Sequence, residues 1–197
     1  MNIKEQCKKL ILVIAGMPGS GKSIVSDIAR KLDLPVIVLG DVVRDEVIKR
    51  GLKPTLKNML SIAEELRRKY GPAAIAMLSI EKIRKINKNI IVIDGIRSLD
   101  EITYLKNALN YEILILAIHS SPRTRFERLK NRGRPGDPKS WEEFVERDFR
   151  ELSWGIGNVI ALADRIIVNE GGLDEFISAV TRFLSEVIEK WCSSGLK

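Results

Sequence analysis

Apolar residues along this chain form short uninterrupted runs that alternate with longer segments of helical periodicity. The first run, LILVIA, spans Leu10 to Ala15, and four more lie at 35–39, 89–95, 112–118 and 164–169. Runs without polar alternation are typical of strands that are buried on both faces of a parallel sheet. The segments between them repeat apolar residues every three to four positions, which indicates amphipathic helices. The pattern predicts a single α/β domain over residues 1–197, with five parallel strands between helices.

Gly and Pro residues delimit the predicted helices. Pro54 lies at the start of one long amphipathic helix, and Gly71 with Pro72 ends it. The segment NRGRPGDPKS, at 131–140, is too polar and too rich in Gly and Pro for the core, so we predict a surface loop. Helices are expected at 22–32, 42–51, 54–72, 73–86, 98–108, 122–131, 141–152 and 173–191.

Composition narrows the class of protein. Apolar residues make up 45% of the chain and charged residues 30%, which fits a globular protein rather than a disordered one. No apolar run approaches the ~20 residues of a membrane span, and the N-terminal segment has no cleavage site of the signal-peptide type. Cys7 and Cys192 are interpreted as free thiols, so a cytoplasmic location is expected. The single histidine, His119, leaves no His-based metal site or triad.

The segment GMPGSGKS, directly after the first strand, matches the phosphate-binding pattern G-x-x-x-x-G-K-[ST]. Successive backbone N–H groups of such a loop converge on an anion, and the following helix N-terminus adds partial positive charge. Lys22 would neutralise the β- and γ-phosphates of ATP, and the Ser23 hydroxyl would ligate Mg²⁺. The alternative is a glycine-rich turn that binds nothing. The predicted nucleotide-binding residues are Gly16, Met17, Pro18, Gly19, Ser20, Gly21, Lys22 and Ser23.

Asp94 ends the apolar run IIVID, at the edge of the sheet where ligands of parallel sheets collect. We predict that this carboxylate contacts the metal through water, opposite Ser23. The alternative is that Asp94 caps the next helix.

Four later segments resemble nucleoside monophosphate kinases of the adenylate kinase type. LGDVVRDEV resembles their GD-x-x-R segment, IDGIRSLDE their DGFPR segment, and RTRFERLKNRGR the arginine-rich entry to their lid. ALADRIIVN is similar to a late strand shared with dephospho-coenzyme A kinases. The whole chain most resembles an archaeal group of predicted nucleotide kinases related to adenylate kinase. The resemblance implies a three-layer P-loop kinase fold with a helical acceptor-binding insertion at 41–87 and a short lid at 131–140.

The resemblance also implies roles for individual residues. Arg44 would bind the phosphate of the acceptor, Arg97 would bridge the two substrates, and Arg128 would flank the base of ATP. The residues implied to bind the acceptor are Asp41, Arg44, Arg97 and Arg147. The residues implied in catalysis are Lys22, Arg97, Arg132 and Arg134. Arginine suits these roles because its planar fork binds two phosphate oxygens at once.

The chain departs from the adenylate kinase pattern in ways that leave the acceptor open. DGIRS lacks the proline of DGFPR, and Asp100-Glu101 replaces the glutamine that reads the base of AMP. The segment 54–86 is longer and more helical than the usual insertion, which leaves a different acceptor pocket or a homodimer surface as alternatives. Trp141 and Trp154 are interpreted as packing residues near the lid, with base stacking as the alternative.

Other arginines and one carboxylate near the lid are ambiguous in the sequence. Arg123 and Arg125 fit a solvent-exposed helix face as well as a site role. Asp137 is either a turn residue or a partner that holds the closed lid through an arginine. The lid has no cysteines, so no structural zinc is expected.

Two functions follow from these residues. The first is a Mg-ATP-dependent kinase that transfers the γ-phosphoryl group to a nucleoside monophosphate or a similar small phosphorylated acceptor. The alternative is a nucleotide-dependent ATPase or switch that acts on RNA or a protein partner. The net charge of +7 fits a solvated lysine surface, nucleic-acid binding, or arginines gathered where phosphates bind. The position of the arginines near strand ends and the lid favours the last, and no membrane partner is expected.

Overall fold

The structure is a computed structural model that describes residues 9–193, with side chains up to residue 191. Cys7 and the side chain of Cys192, which the sequence predicts to be free thiols, lie outside the described part. No helix in the described range is long and apolar enough to cross a membrane.

The sheet has five strands in the order β2-β3-β1-β4-β5, and every neighbouring pair is parallel. The predicted five-stranded parallel sheet is therefore confirmed. All residues of β1, the central strand, are buried because helices cover both faces of the sheet. The strands are β1 (Leu10–Ala15), β2 (Val36–Val38), β3 (Ile90–Asp94), β4 (Glu112–His119) and β5 (Arg165–Val168).

Helices pack on the two faces of the sheet and form two large apolar clusters. Ile11 and Val13 face a cluster that includes residues of α2 to α5 and α8. Leu12 and Ile14 point the opposite way, towards α1 and α9. The helices are α1 (Lys22–Lys31), α2 (Leu39–Lys49), α3 (Leu56–Tyr70), α4 (Ala74–Arg84), α5 (Leu99–Leu109), α6 (Pro122–Arg132), α7 (Trp141–Ser153), α8 (Ile156–Ala161) and α9 (Leu173–Ser193).

The helix pattern differs from the sequence prediction at two points. Helix α8 was not predicted, since its six residues are too few to show a helical repeat. Helix α2 begins at Leu39, so Gly40 lies in its first turn rather than in a loop after the strand. Tertiary packing of Leu39 in the core outweighs the low helix propensity of the glycine that follows.

The order of the strands determines where a ligand can bind. Strands β1 and β3 are neighbours in the sheet. The connection after β1 runs to one side, to β2, and the connection after β3 runs to the other side, to β4. This is a topological switch point, and ligands of open parallel sheets bind in the crevice at the carboxyl ends of such strands. The segment 16–21 and Asp94 both come to that crevice.

Candidate functional site

The loop between β1 and α1 forms a cradle that only glycines allow. A Cβ on Gly19 would lie 2.8 Å from the Arg125 carbonyl oxygen, and one on Gly21 would lie 2.5 Å from Asn169 Nδ2. Both glycines also have positive φ angles, 82° and 109°, which disfavour other residues. The loop backbone is therefore packed tightly against its surroundings, which leaves no room for side chains at these positions. A fixed loop backbone of this kind can present its N–H groups to a phosphate.

Lys22, the first residue of α1, folds back over this loop. Its Nζ donates hydrogen bonds to the carbonyl oxygens of Gly16, at 2.6 Å, and Met17, at 3.1 Å. Burial, followed by the positive charge of Arg97, lowers the pKa of Lys22 to about 8. An anion that binds beside Nζ would favour the charged form, so the site is set up for a negative ligand.

Asp94 and Ser23, the predicted metal-binding residues, line the same cavity. The Asp94 carboxylate is buried, and its Oδ2 accepts a hydrogen bond from Ser26 Oγ at 3.0 Å. Ser98, not Asp94, caps α5, so the capping alternative for Asp94 is wrong. Ser23 is exposed at the start of α1. A hydroxyl and a carboxylate that line one cavity fit Mg²⁺, which prefers oxygen ligands.

A cavity of about 520 Å³ joins the phosphate loop to a set of arginines from four other segments. The structure brings together most of the residues that the sequence predicts for the site. The charged residues that line the cavity are Lys22, Asp94, Arg97, Arg128, Arg132, Arg134, Arg147 and Glu151. Glu151 was not predicted, since nothing in the sequence separates it from the other glutamates of α7.

Arg97 is held at the edge of this cavity from two sides. Its backbone N–H donates to Glu101 Oε2 at 2.6 Å, and its side-chain Nε forms an ion pair with Glu151. Nη1 donates to the Ile96 carbonyl oxygen at 3.2 Å. The side chain is 20% exposed, so a ligand can reach it.

Asp41 and Arg44, which are predicted to bind the acceptor, do not line this cavity. They pair with each other at 2.8 Å on α2, with about half of each side chain exposed. Helix α2 begins two residues before Asp41, and this start carries both residues onto its outer face. Their part in acceptor binding stays a prediction.

Asp100 and Glu101, which replace a base-reading glutamine, do not face the described cavities either. Asp100 is exposed, and Glu101 is fully buried as part of the cap of α5. The Glu101 N–H donates to Ser98 Oγ at 3.2 Å. Burial raises the pKa of Glu101, although hydrogen bonding to the Arg97 N–H and the charge of Arg67 oppose that rise. The positions of these two residues therefore do not indicate which acceptor binds.

In the predicted lid segment, 131–140, several donors bond one carboxylate. Asp137 accepts two hydrogen bonds from Arg132, at 2.9 and 2.5 Å, and one from the Arg134 N–H at 3.0 Å. Arg147 of α7 lies 3.4 Å from the same carboxylate. Burial alone would raise the pKa of Asp137, but these hydrogen bonds and charges lower it. The carboxylate thus stays ionised at neutral pH. Asp137 pairs with arginines, as one alternative predicted, and it is also a turn residue, because its backbone N–H donates to the Arg134 carbonyl oxygen at 2.9 Å.

The predicted lid segment also contacts α3. A Cβ on Gly136 would lie 2.7 Å from Leu56 Cδ2, at the start of α3, so the lid backbone packs directly on that residue. The lid, α3 and α7 enclose a cavity of about 240 Å³, next to the phosphate-loop cavity.

A further cavity of about 180 Å³ lies on the side of the insertion. It shares Gly40, Gly95, Arg97, Arg147 and Glu151 with the phosphate-loop cavity, so the two lie side by side. Its remaining wall is mainly apolar and comes from α2, α3 and α4, together with Trp154 and Arg67. The Arg67 guanidinium stacks on the Trp154 ring, 4.7 Å from its centroid.

Arg128 anchors the opposite end of the phosphate-loop cavity. Its Nη1 donates to Ser120 Oγ at 2.9 Å, and its Nη2 donates to Asn169 Oδ1 at 3.2 Å. Asn169 in turn donates through Nδ2 to the Ser20 carbonyl oxygen at 2.8 Å. Asn169 therefore connects the end of β5 to the phosphate loop, and Arg128 holds the Asn169 side chain.

Arg125 is a structural residue that the sequence left ambiguous. It is 4% exposed and makes a bidentate ion pair with Asp148, at 2.8 and 2.5 Å. Nη1 also donates to the Pro18 carbonyl oxygen of the phosphate loop, at 3.2 Å. The guanidinium lies 4.9 Å from the centre of the Phe144 ring. Arg125 thus connects the phosphate loop to α7, the helix that follows the lid.

A parallel sheet with a phosphate loop at its switch point, facing an arginine-lined cavity, defines a P-loop kinase-like protein. A family model described as an AAA domain matches residues 15–145. The UPF0200 protein of Hyperthermus butylicus is 49% identical over 179 residues, which cover 91% of this chain and 95% of that protein. A UPF0200 protein of Thermococcus kodakarensis is 46% identical over 184 residues, 92% of this chain and 100% of that protein. The chain belongs to the AAA domain family and to the archaeal UPF0200 family.

Solved structures agree with this class at the level of the fold. TT1252 from Thermus thermophilus superposes on this chain with a TM-score of 0.61 at 19% identity. The match covers 91% of this chain and 98% of TT1252. Shikimate kinase from Bacteroides thetaiotaomicron gives a TM-score of 0.58 at 17% identity, with the same coverage. The predicted P-loop kinase fold is confirmed, and so is membership of an archaeal family, which is UPF0200.

Proposed function

We propose that this protein is a kinase that transfers the γ-phosphoryl group of ATP to a nucleoside monophosphate or a similar small phosphorylated acceptor. One observation carries the proposal: a single cavity is lined both by the phosphate loop and by Arg97, Arg132, Arg134 and Arg147. A site that only binds a nucleotide does not require so many cations beyond the loop. Phosphoryl transfer does, because negative charge of two substrates meets at one point.

The charge of the cavity supports two phosphorylated substrates. Six cationic side chains and two carboxylates line it, an excess of four positive charges. Asp137 does not line this cavity, but it pairs with Arg132 and Arg147, which do. Its charge reduces the excess to three positive charges. MgATP carries about two net negative charges, and a phosphate monoester adds about two more at neutral pH.

Each group of residues has a part in this proposal. Lys22 and the loop N–H groups would bind the phosphates of ATP, and Arg128 would lie beside its base. Ser23, with Asp94 through water, would hold Mg²⁺, which supplies positive charge to the phosphates when it is bound. Arg97 would orient the acceptor phosphate, and the lid arginines would bind the transferring group. The acceptor would occupy the cavity beside α3.

The proposal is tested by a screen of phosphate monoesters with Mg-ATP, in which release of ADP and formation of the phosphorylated product are followed together. We expect product with at least one nucleoside monophosphate, in equal amount to ADP. The alternative function, an ATPase or switch acting on RNA or protein, predicts ADP release that no acceptor stimulates. ADP release that rises with RNA and never yields a phosphorylated small molecule would contradict the kinase proposal.

Replacement of Arg97 tests the acceptor side of the site. We expect Arg97→Ala to lower kcat/KM for the acceptor about 100-fold and to change the KM of ATP only a few-fold, because the guanidinium would contact the acceptor phosphate. Arg84→Ala is the control, since Arg84 pairs with Glu81 on the exposed surface of α4. Steady-state kinetics with each substrate varied in turn measure both constants. Equal changes in KM for the acceptor and for ATP would contradict the assignment of Arg97 to the acceptor.

Replacement of Asp137 tests closure of the lid. Asp137→Asn keeps the shape of the side chain but removes the charge that binds Arg132 and Arg147, so the lid should open more often. We expect the ratio of ATP hydrolysis to transfer to rise about tenfold, since water then reaches the phosphates. The exposed Asp174 of α9 gives the control variant, Asp174→Asn. An unchanged ratio, with transfer intact, would show that the lid does not exclude water.

A further inference from the structure

Glu151 stands where three cavities meet. Its side chain lines the phosphate-loop cavity, the cavity beside α3 and the cavity under the lid. Only 8% of the residue is exposed. A buried carboxylate at the centre of a site for anionic phosphates is unexpected, because like charges in a region of low dielectric repel strongly.

The Glu151 carboxylate depends on a single partner among the described residues. Its partner in the described chain is Arg97, which it meets through Nε. Oε2 is buried and is the oxygen that faces this Nε, and no other described residue donates to it. A buried carboxylate that loses its one donor is costly, and a ligand group that donates to it would offset that cost.

The pairing with Arg97 sets up a competition when the acceptor binds. Glu151 already uses the Nε edge of Arg97, which is also part of the edge that binds a phosphate bidentately. A phosphate on Arg97 must share that guanidinium with Glu151 or displace it. In either case the Glu151 carboxylate lies next to the bound acceptor and loses part of its ion pair. Loss of a buried ion pair is strongly unfavourable unless another donor replaces it.

We infer that Glu151 accepts a hydrogen bond from a hydroxyl group of the acceptor, close to the acceptor phosphate. This inference rests on the proposed function and narrows its substrate class. The acceptor is then a phosphate monoester of a polyol, either a ribonucleotide or a free sugar phosphate. A hydroxyl donor satisfies the carboxylate, whereas an acceptor with hydrogen in its place faces an uncompensated charge. Glu151 is thus a specificity-determining residue.

The test compares matched acceptors that differ in one hydroxyl. One arm uses ribonucleoside 5′-monophosphates and their 2′-deoxy and 3′-deoxy counterparts, and the other uses ribose 5-phosphate and 2-deoxyribose 5-phosphate. We expect the wild-type protein to prefer the hydroxyl-bearing member of a pair by about tenfold to a hundredfold in kcat/KM, the value of a hydrogen bond to a charged group. The arm that shows transfer identifies the source of the polyol.

Variants then assign that preference to Glu151. We expect Glu151→Ala to reduce the preference to about twofold or less, and Glu151→Gln, which keeps the volume and an acceptor oxygen, to give an intermediate value. Glu142→Ala, at an exposed position at the start of the same helix, should keep the wild-type preference. A partner of Arg97 with only a structural role would change rates for both members of a pair equally. Thermal unfolding of each variant verifies that it is folded.

The possible results separate the two proposals. Transfer without any preference in the wild-type protein, or a preference that survives in both Glu151 variants, would overturn the inference and leave the kinase proposal standing. ATP binding without transfer to any phosphate monoester in either arm would overturn the kinase proposal and the inference with it.

Discussion

Lys22→Ala is expected to reduce phosphoryl transfer by about a thousandfold while the protein stays folded. The Lys22 Nζ now bonds the Gly16 and Met17 carbonyl oxygens, which hold it over the phosphate loop. No other lysine lines the phosphate-loop cavity in the described part of the chain. Removal of one preorganised charged donor from a phosphoryl-transfer site costs about this much in rate. Single-turnover kinetics at saturating Mg-ATP measure the loss directly.

The control for this variant is Lys31→Ala. Lys31 is the last residue of the same helix and is exposed, so its loss should change the rate less than twofold. Because burial lowers the pKa of Lys22, removal of its side chain also relieves a desolvation cost, and the free energy of unfolding should not fall much. A Lys22→Ala variant that keeps more than about a tenth of the wild-type rate would contradict the proposed role.

Arg125→Ala is expected to lower the free energy of unfolding by about 3–5 kcal/mol, the effect of breaking a buried ion pair. Arg125 and Asp148 are 4% and 14% exposed, so the variant leaves the Asp148 carboxylate buried without its partner. The hydrogen bond to the Pro18 carbonyl is lost as well, which loosens the phosphate loop. Urea denaturation followed by circular dichroism gives the change in stability.

Arg123 provides a matched control two residues away. It is exposed on the same helix, and Arg123→Ala should change the free energy of unfolding by about 0.5 kcal/mol or less. The double variant Arg125→Ala/Asp148→Ala should be less destabilised than the sum of the single variants, since no charge is left unpaired. Strict additivity, or equal effects of Arg123→Ala and Arg125→Ala, would contradict a buried structural pair.

Local chemistry explains why the phosphate loop was predictable. Its pattern lies within eight consecutive residues, and the conformation depends on glycines at fixed positions in that segment. The strand before it and the helix after it also have strong patterns of their own. The same holds for Asp94, whose place follows from the end of a buried strand.

Residues that act through distant partners could not be assigned in this way. Arg123 and Arg125 are equally basic and lie on one helix, but only the helix orientation places the second beneath the phosphate loop. Glu151 faces the cavities because α7 packs against the β3–α5 turn, where it meets Arg97. Arg44 is a different case: its motif predicts an acceptor-binding residue, the helix places it on an exposed face, and its part in acceptor binding stays a prediction.

The sequence by itself determined the parallel α/β fold, the phosphate loop and the supply of arginines, because periodicity and short motifs depend on neighbours along the chain. Only the tertiary structure decided which arginines line the cavity, which are structural, and which carboxylates balance them. These outcomes depend on burial and on contacts between residues such as Arg97 and Glu151, which lie 54 positions apart in the sequence. Electrostatic interactions become strong and specific only where packing excludes water, and such places exist only in the folded chain.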